Sequence, residues 1–280
     1  MRCAPVQISP TRWKQACLVL SALLLFQAGT LRQARGQTAP STSADASLPS
    51  APSPQDPELT LRNTPRRVWQ DQKAIWTSPL KLRVHDLAWI VPLAAATGAS
   101  IALDSHTMNT VVSHDAGFNQ ANVNASNVMV GGILVAPAAF YGLGLAKHDE
   151  HAREAGLLGA EAIVDGVVVE QGMKLIFWRE RPVQDKGRGL FFQGSAGIDS
   201  SFPSSHAVLA WSSAAVLASE YPSRWKQAGF YTLATAISLT RVMGQEHFPT
   251  DALVGSAAGW LVGHYVFRAH HRSGHDLRSR

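Results

Sequence analysis

Cysteine is nearly absent from this 280-residue chain. Cys3 and Cys17 are the two, and both lie in the first 17 residues. A mature chain that loses this segment has neither a disulfide nor thiol chemistry. Period-two alternation of apolar and polar residues does not stand out, which argues against a sheet. No internal repeat is visible, which sets aside a repeat architecture. Lasting charge of one sign is also missing. The formal net charge is +5, but residues 1–36 hold five bases and no acid, so the remainder is near neutral. The basic balance therefore gives no reason to invoke nucleic acid. Long pure apolar runs are few: Leu87–Leu103 and Val128–Ala146 approach the length and purity of a membrane span.

What is present divides the chain into four parts. Arg2, Arg12 and Lys14 precede an apolar stretch, Ala16–Gly29, and Ala34-Arg35-Gly36 is an acceptable cleavage site. Residues 1–36 read as a signal peptide or an N-terminal anchor, with a mature start near Gln37. Residues 37–65 are rich in Ser, Pro, Ala and Thr and read as a disordered linker. Residues 66–270 read as one helical domain, of which 66–86 form an amphipathic lead-in, and 271–280 as a polar tail. Six apolar runs, Leu87–Leu103, Val128–Ala146, Ala155–Trp178, Ala207–Ala218, Gln227–Leu239 and Ala252–Phe267, predict an all-α bundle of about six core helices. The bundle is either membrane-embedded or soluble. The reading favours a membrane-associated bundle over a soluble exported protein.

Three stretches carry groups suited to phosphate. Lys174 and Arg181 are separated by six residues and followed by Pro182. A spacing of seven is about two helical turns, so a helix over Ala155–Trp178 is expected to present both from one face. Arginine suits bidentate phosphate contact and lysine a point charge. The second stretch is Pro203-Ser204-Ser205-His206, just before an apolar run. Ser204 or Ser205 suits an N-cap, and the free N–H groups of a helix start bind anions. The third is Thr240-Arg241, five residues, His247, three residues, Asp251. Pro249 suits the first helical position, which places His247 just before a helix and Asp251 within reach of one ring nitrogen. Phosphoryl transfer needs positioning and charge stabilisation above all, and three cations, two histidines, hydroxyls and one carboxylate supply them without a metal. Each stretch alone is a weak signal. Their order and spacing together are strong.

The three stretches resemble the signature of the type 2 phosphatidic acid phosphatase / vanadium haloperoxidase superfamily, Lys-x6-Arg-Pro, Pro-Ser-Gly-His and Ser-Arg-x5-His-x3-Asp. Ser205 stands where the family usually has Gly, and Thr240 where it usually has Ser; neither change removes a charge. The resemblance covers residues 150–268. It implies that His247 is a nucleophile forming a phosphohistidine, that His206 is the acid and then the base, and that Asp251 orients His247. Lys174, Arg181, Ser204, Ser205 and Arg241 would bind the phosphate. It implies no metal and no cofactor. Substrates would be phosphorylated lipids, such as phosphatidic acid, undecaprenyl diphosphate or a lipid A-like glycolipid, or small phosphate esters. Two further classes share the residues: a haloperoxidase holding vanadate on His247, and a non-catalytic binder of phosphorylated lipid.

Other polar clusters read more plainly. Lys147-His148-Asp149-Glu150-His151 has metal-ligand residue types but no evident second ligand group, and reads as a polar loop. Asp104-Ser105-His106 and His114-Asp115 read likewise and could border the pocket. At least one of Glu161, Asp165 and Glu170 is expected to pair with a base. Trp69, Trp76 and Trp89 suit either a membrane interface or ordinary packing.

Overall fold

A computed structural model of the chain describes residues 59–184, 187–195 and 197–271. The leader or anchor at 1–36, most of the linker and nearly all of the polar tail lie outside the described residues. Seven α-helices occur among the described residues, and no strand. They are α1 Thr64–Thr77, α2 Leu87–His106, α3 Ala116–Lys147, α4 Glu150–Phe177, α5 Ser205–Glu220, α6 Arg224–Met243 and α7 Pro249–His270. The last six answer to the six apolar runs. The seventh, α1, begins inside the expected linker. Leu59 and Ile75 pack on a core cluster built around Leu158, Val216 and Val266, and this burial holds the segment in place.

Several boundaries differ from the hydropathy pattern because caps, rather than apolar composition, set them. Asp115 accepts a hydrogen bond from the Phe118 N–H at 2.7 Å, so α3 starts twelve residues before Val128. Asp149 accepts from the Ala152 N–H at 3.1 Å, and α4 therefore starts at Glu150. The expected polar loop at 147–151 shrinks to His148 and Asp149, with His148 left-handed at φ 53°.

Helix α5 is central. Ala207, Val208, Ala210, Ala214, Ala215 and Val216 are all buried, and α5 packs against α4, α6 and α7. Its contact with α7 is set by three glycines four residues apart. A Cβ on Gly255 would lie 2.8 Å from the Ser204 oxygen, one on Gly259 2.4 Å from the Val208 oxygen, and one on Gly263 2.2 Å from the Ser212 oxygen. Backbone-to-backbone approach of this kind requires glycine. It draws the start of α5 onto the start of α7, where the Ser204 N–H donates to the Asp251 carbonyl at 3.1 Å.

Two segments, Val84–Val111 and Ala116–Lys147, are long and apolar enough to cross a membrane by length and composition. Their apolar side chains point outward: Val91, Leu103, Val128 and Val135 are each more than half exposed.

Candidate active site

The ends of α4 and α6, the starts of α5 and α7, and the 178–204 loop meet at one end of the bundle. Lys174 sits in the last turn of α4 and is 2% exposed. Its Nζ donates to the Ser205 hydroxyl at 2.9 Å and to the Ile198 carbonyl at 3.1 Å, and lies 2.9 Å from Glu170 Oε1. Ser205 in turn donates to Glu170 Oε1 at 2.6 Å. The serine at the position usually held by glycine is thus tied to a buried acid one turn before Lys174. Glu170 is the acid that pairs with a base, as is Glu161, held by Arg67 at 2.7 Å.

Arg181 does not share a helix face with Lys174. The helix ends at Phe177, Trp178 adopts a left-handed conformation at φ 38°, and Arg181 lies in the following loop. Pro182 disfavours helix at the residue before it, and Arg179 draws the loop inward. Arg181 reaches Glu246, which it meets at 2.5 Å, and the same Glu246 oxygen lies 3.2 Å from Arg241. A carboxylate therefore bridges two of the three cations expected to hold phosphate. Arg241 also donates to Ser126 at 3.2 Å, while its Nε is buried with no hydrogen-bond partner. Thr240 is turned away: its hydroxyl donates to the Ala236 and Ile237 carbonyls, both at 2.9 Å.

Ser204 occupies the N-cap position of α5, yet its hydroxyl makes no capping bond and is buried without a partner. Ser204 Oγ and Arg241 Nε are donors, and buried donors without protein partners suit an anion. His206 lies in the first turn of α5. Its Nε2 meets Asn127 Oδ1 at 3.0 Å, and the same oxygen accepts from Arg241 at 3.4 Å. An oxygen that already accepts from a guanidinium accepts from the imidazole too, so Nε2 carries the proton. Burial first, then the charges of Arg241, His247, Lys174 and Arg181, push the His206 pKa down to about 3. All four groups act on one imidazole, which places His206 at the focus of the site.

His247 is 1% exposed. Its Nδ1 makes its hydrogen bond with the Ser201 carbonyl, at 2.8 Å. Asp251 Oδ2 is farther away, at 3.7 Å, and so does not hold the ring by a direct hydrogen bond as expected. Its carboxylate is committed elsewhere: Oδ2 accepts from the Ser201 hydroxyl and from the Phe248 N–H at 2.8 Å, and Oδ1 from Arg179 at 2.6 Å. A carbonyl can only accept, so Nδ1 bears the proton and the Nε2 lone pair is free. Burial lowers the His247 pKa and the Asp251 charge opposes this.

Arg179, absent from the expected site, organises its back wall. It is 1% exposed, lies between Phe191 and Phe248 at 4.5 and 4.1 Å from their ring centroids, and bridges Asp251 to Asp104. Asp104 also accepts from the Thr250 N–H at 3.1 Å, so the end of α2 is fastened to the start of α7. Asn127, Ser201 and Glu246 are further residues that the motif reading missed. Metal-ligand groups do cluster among the described residues, but elsewhere: Asp71, Glu161 and His270, and Glu154, Glu220 and His271.

The sequence model of the PAP2 superfamily matches residues 155–275, the segment that carries every motif above. A 65-residue stretch is 37% identical to "Lipid A 1-phosphatase" of Porphyromonas gingivalis, covering 22% of this chain and 15% of that protein. The chain thus spans a small part of that relative's length. The fold also resembles a crystal structure of a transmembrane PAP2 type phosphatidylglycerolphosphate phosphatase from Bacillus subtilis. The TM-score is 0.45 at 19% identity, over 78% of this chain and 98% of that one. With the motifs in family order at one end of an all-helical bundle, and the superfamily match lying over them, the segment 155–275 of this chain is PAP2-superfamily sequence.

Proposed function

We propose that the chain is a metal-independent phosphatase acting on phosphorylated lipids through a phosphohistidine on His247. The observation that carries this reading is the state of His247. It is a buried neutral imidazole, its Nδ1 proton is given to the Ser201 carbonyl, and its Nε2 lone pair is available beside Arg181, Arg241 and His206.

The steps follow from the donors. The phosphate takes hydrogen bonds from the Ser204 hydroxyl, Arg241, Arg181, Lys174 and the N–H groups that open α5, and part of the Glu246 bridge yields to it. The anion raises the His206 pKa from its depressed value, so binding brings a proton onto that ring. His247 Nε2 attacks phosphorus. The bond to the leaving oxygen breaks, and His206 protonates that oxygen, releasing an alcohol. Neutral His206 then takes a proton from water, whose oxygen attacks the phosphohistidine and breaks the P–N bond. Arg179 and Asp251 touch neither reacting atom; they hold the Ser201 loop and the start of α7 around His247.

Lipid phosphates are favoured over soluble esters because α2 and α3 expose apolar side chains along span-length helices. The name of the Porphyromonas relative points the same way. On this reading the protein works at a bacterial envelope membrane with its site facing the periplasm. The test is phosphate release from phosphatidic acid, undecaprenyl diphosphate and p-nitrophenyl phosphate in excess EDTA. Wild type releases phosphate, best from a lipid substrate, and His247→Ala loses on the order of a thousandfold or more. Near-normal turnover by folded His247→Ala contradicts the mechanism. Silence of the folded wild type on all three substrates points instead to vanadate chemistry or to binding alone.

A further inference from the structure

We propose that His151, Glu154, Glu220 and His271 form a binding site for a divalent transition-metal ion of the zinc class, at the end of the bundle opposite the phosphate site. The start of α4, the end of α5 and the residue after α7 meet there. His271 Nδ1 lies 3.0 Å from Glu154 Oε1 and 3.2 Å from Glu220 Oε1, and His151 Nδ1 lies 3.5 Å from Glu220 Oε2. Donors bound at zinc distances of ~2.0–2.2 Å in a tetrahedron are spaced about 3.4 Å apart. One ligand atom each of Glu154, Glu220 and His271 lies within 4.8 Å of the other two, so an ion fits among these three with modest side-chain adjustment, and His151 stands beside Glu220 as the fourth ligand of the proposal.

The charge state points to a cation. Glu154 and Glu220 are 7% and 4% exposed, and they stand side by side. Glu220 Oε1 meets His271 Nδ1 in a hydrogen bond at 3.2 Å, while its buried Oε2 makes no hydrogen bond and faces His151 Nδ1 at 3.5 Å. The other acid–histidine cluster contains an arginine as well: Arg67 is bound to Glu161 at 2.7 Å, and Tyr265 and His270 hold Asp71 at 3.1 and 2.8 Å.

The donor set selects the ion class. Two imidazoles and two carboxylates suit zinc and its first-row neighbours, whereas magnesium and calcium take oxygen ligands. His271 is partly exposed, which leaves a route from solvent. The histidines of the Lys147–His151 stretch lacked a second ligand group in sequence. Folding supplies it in Glu220 and His271. An ion there would pin α4, α5 and α7, the helices that carry Lys174, His206 and Asp251 at their other ends. Glu154 and Lys174 are twenty residues apart on α4, about 30 Å along the helix, so the ion does not touch the phosphate. The alternative occupant of this geometry is a proton on His271 shared between the two carboxylates.

The experiment uses untagged full-length protein in detergent, stripped with EDTA and re-equilibrated with Zn2+ or Co2+. Wild type and His247→Ala are expected to take up one ion per chain, with the visible absorption of four-coordinate Co2+ bleached by Zn2+. Glu154→Gln/Glu220→Gln and His271→Ala are expected to bind on the order of tenfold more weakly or worse. Zn2+ is expected to raise the unfolding temperature of wild type and not that of the double variant. Wild type that takes up no stoichiometric ion, or a folded double variant that binds as well as wild type, overturns the proposal. Phosphate release in EDTA is read separately and stands or falls without it.

Discussion

The two ends of this bundle share three helices, α4, α5 and α7, and the same kinds of side chain, yet they are suited to opposite ligands. Both ends hold histidines and buried carboxylates. At the end of α4, the atoms left without hydrogen bonds include two donors, Ser204 Oγ and Arg241 Nε. At the start of α4 they are an acceptor, Glu220 Oε2, and a donor, Arg153 Nε. Three cations stand around the first site, and two adjacent carboxylates sit within the second. The lesson is that a count of charged residues says little about a ligand, because most charges in both places already answer one another. Which groups converge on one point, cations around His206 or carboxylates beside His271, decides whether an anion or a cation belongs there.

The largest effect that would break this contrast is on Arg179. Its guanidinium joins two buried carboxylates, and removing one partner of a buried ion pair leaves charge uncompensated. Arg179→Ala is expected to cost about 3–5 kcal/mol, read by chemical or thermal unfolding, with loss of turnover. An equally stable Arg179→Ala would mean that the back wall does not depend on this bridge.

A smaller effect sharpens the anion side. In the free protein His206 is neutral at pH 7, because its pKa is pushed down to about 3 by burial and then by Arg241, His247, Lys174 and Arg181. A bound dianion offsets those cations and raises the pKa, so binding of inorganic phosphate should be accompanied by proton uptake and should tighten as pH falls from 8 towards 6 (values on the order of phosphate's own second pKa, about 6 to 7). Calorimetry in buffers of different ionisation enthalpy measures the uptake, and His206→Gln should lose the part that belongs to the ring. Asn127→Ala, which frees His206 Nε2, should lower kcat about ten- to a hundredfold with a smaller change in KM.

The smallest expected effect concerns Glu246. Its carboxylate occupies both Arg181 and Arg241 and competes with phosphate for them. Glu246→Gln should bind inorganic phosphate a few-fold more tightly, roughly 1 kcal/mol or less for a partly exposed carboxylate. Weaker product inhibition in this variant would show that the bridge positions the arginines more than it competes.

The sequence was informative where chemistry depends on local spacing. Six helices, the Pro249 start and the convergence of Lys174, Ser204, His206, Arg241 and His247 were legible because apolar runs and motif spacing are local signals. Arg179 was printed in the same motif stretch, but its partners Asp104 and Asp251 are 75 and 72 residues away, and no spacing relates them. Asn127 reaches His206 across 79 residues, and Ser205 finds Glu170 across 35. The helix face assigned to Lys174 and Arg181 failed because a periodic count says nothing of a left-handed residue at Trp178. The hydrogen bond assigned to His247 and Asp251 goes instead to the Ser201 carbonyl, at 2.8 Å against 3.7 Å for Asp251 Oδ2, and carbonyls leave no trace in side-chain patterns.

The most direct test of the central claim is to trap the intermediate. Wild type, His206→Ala and His247→Gln are mixed with a phosphate-labelled lipid substrate in EDTA and quenched in alkali, which preserves phosphohistidine. The account predicts acid-labile label on wild type, mapped to His247, none on His247→Gln, and altered accumulation on His206→Ala. Turnover by wild type with no label on His247, or label that persists in His247→Gln, would contradict it.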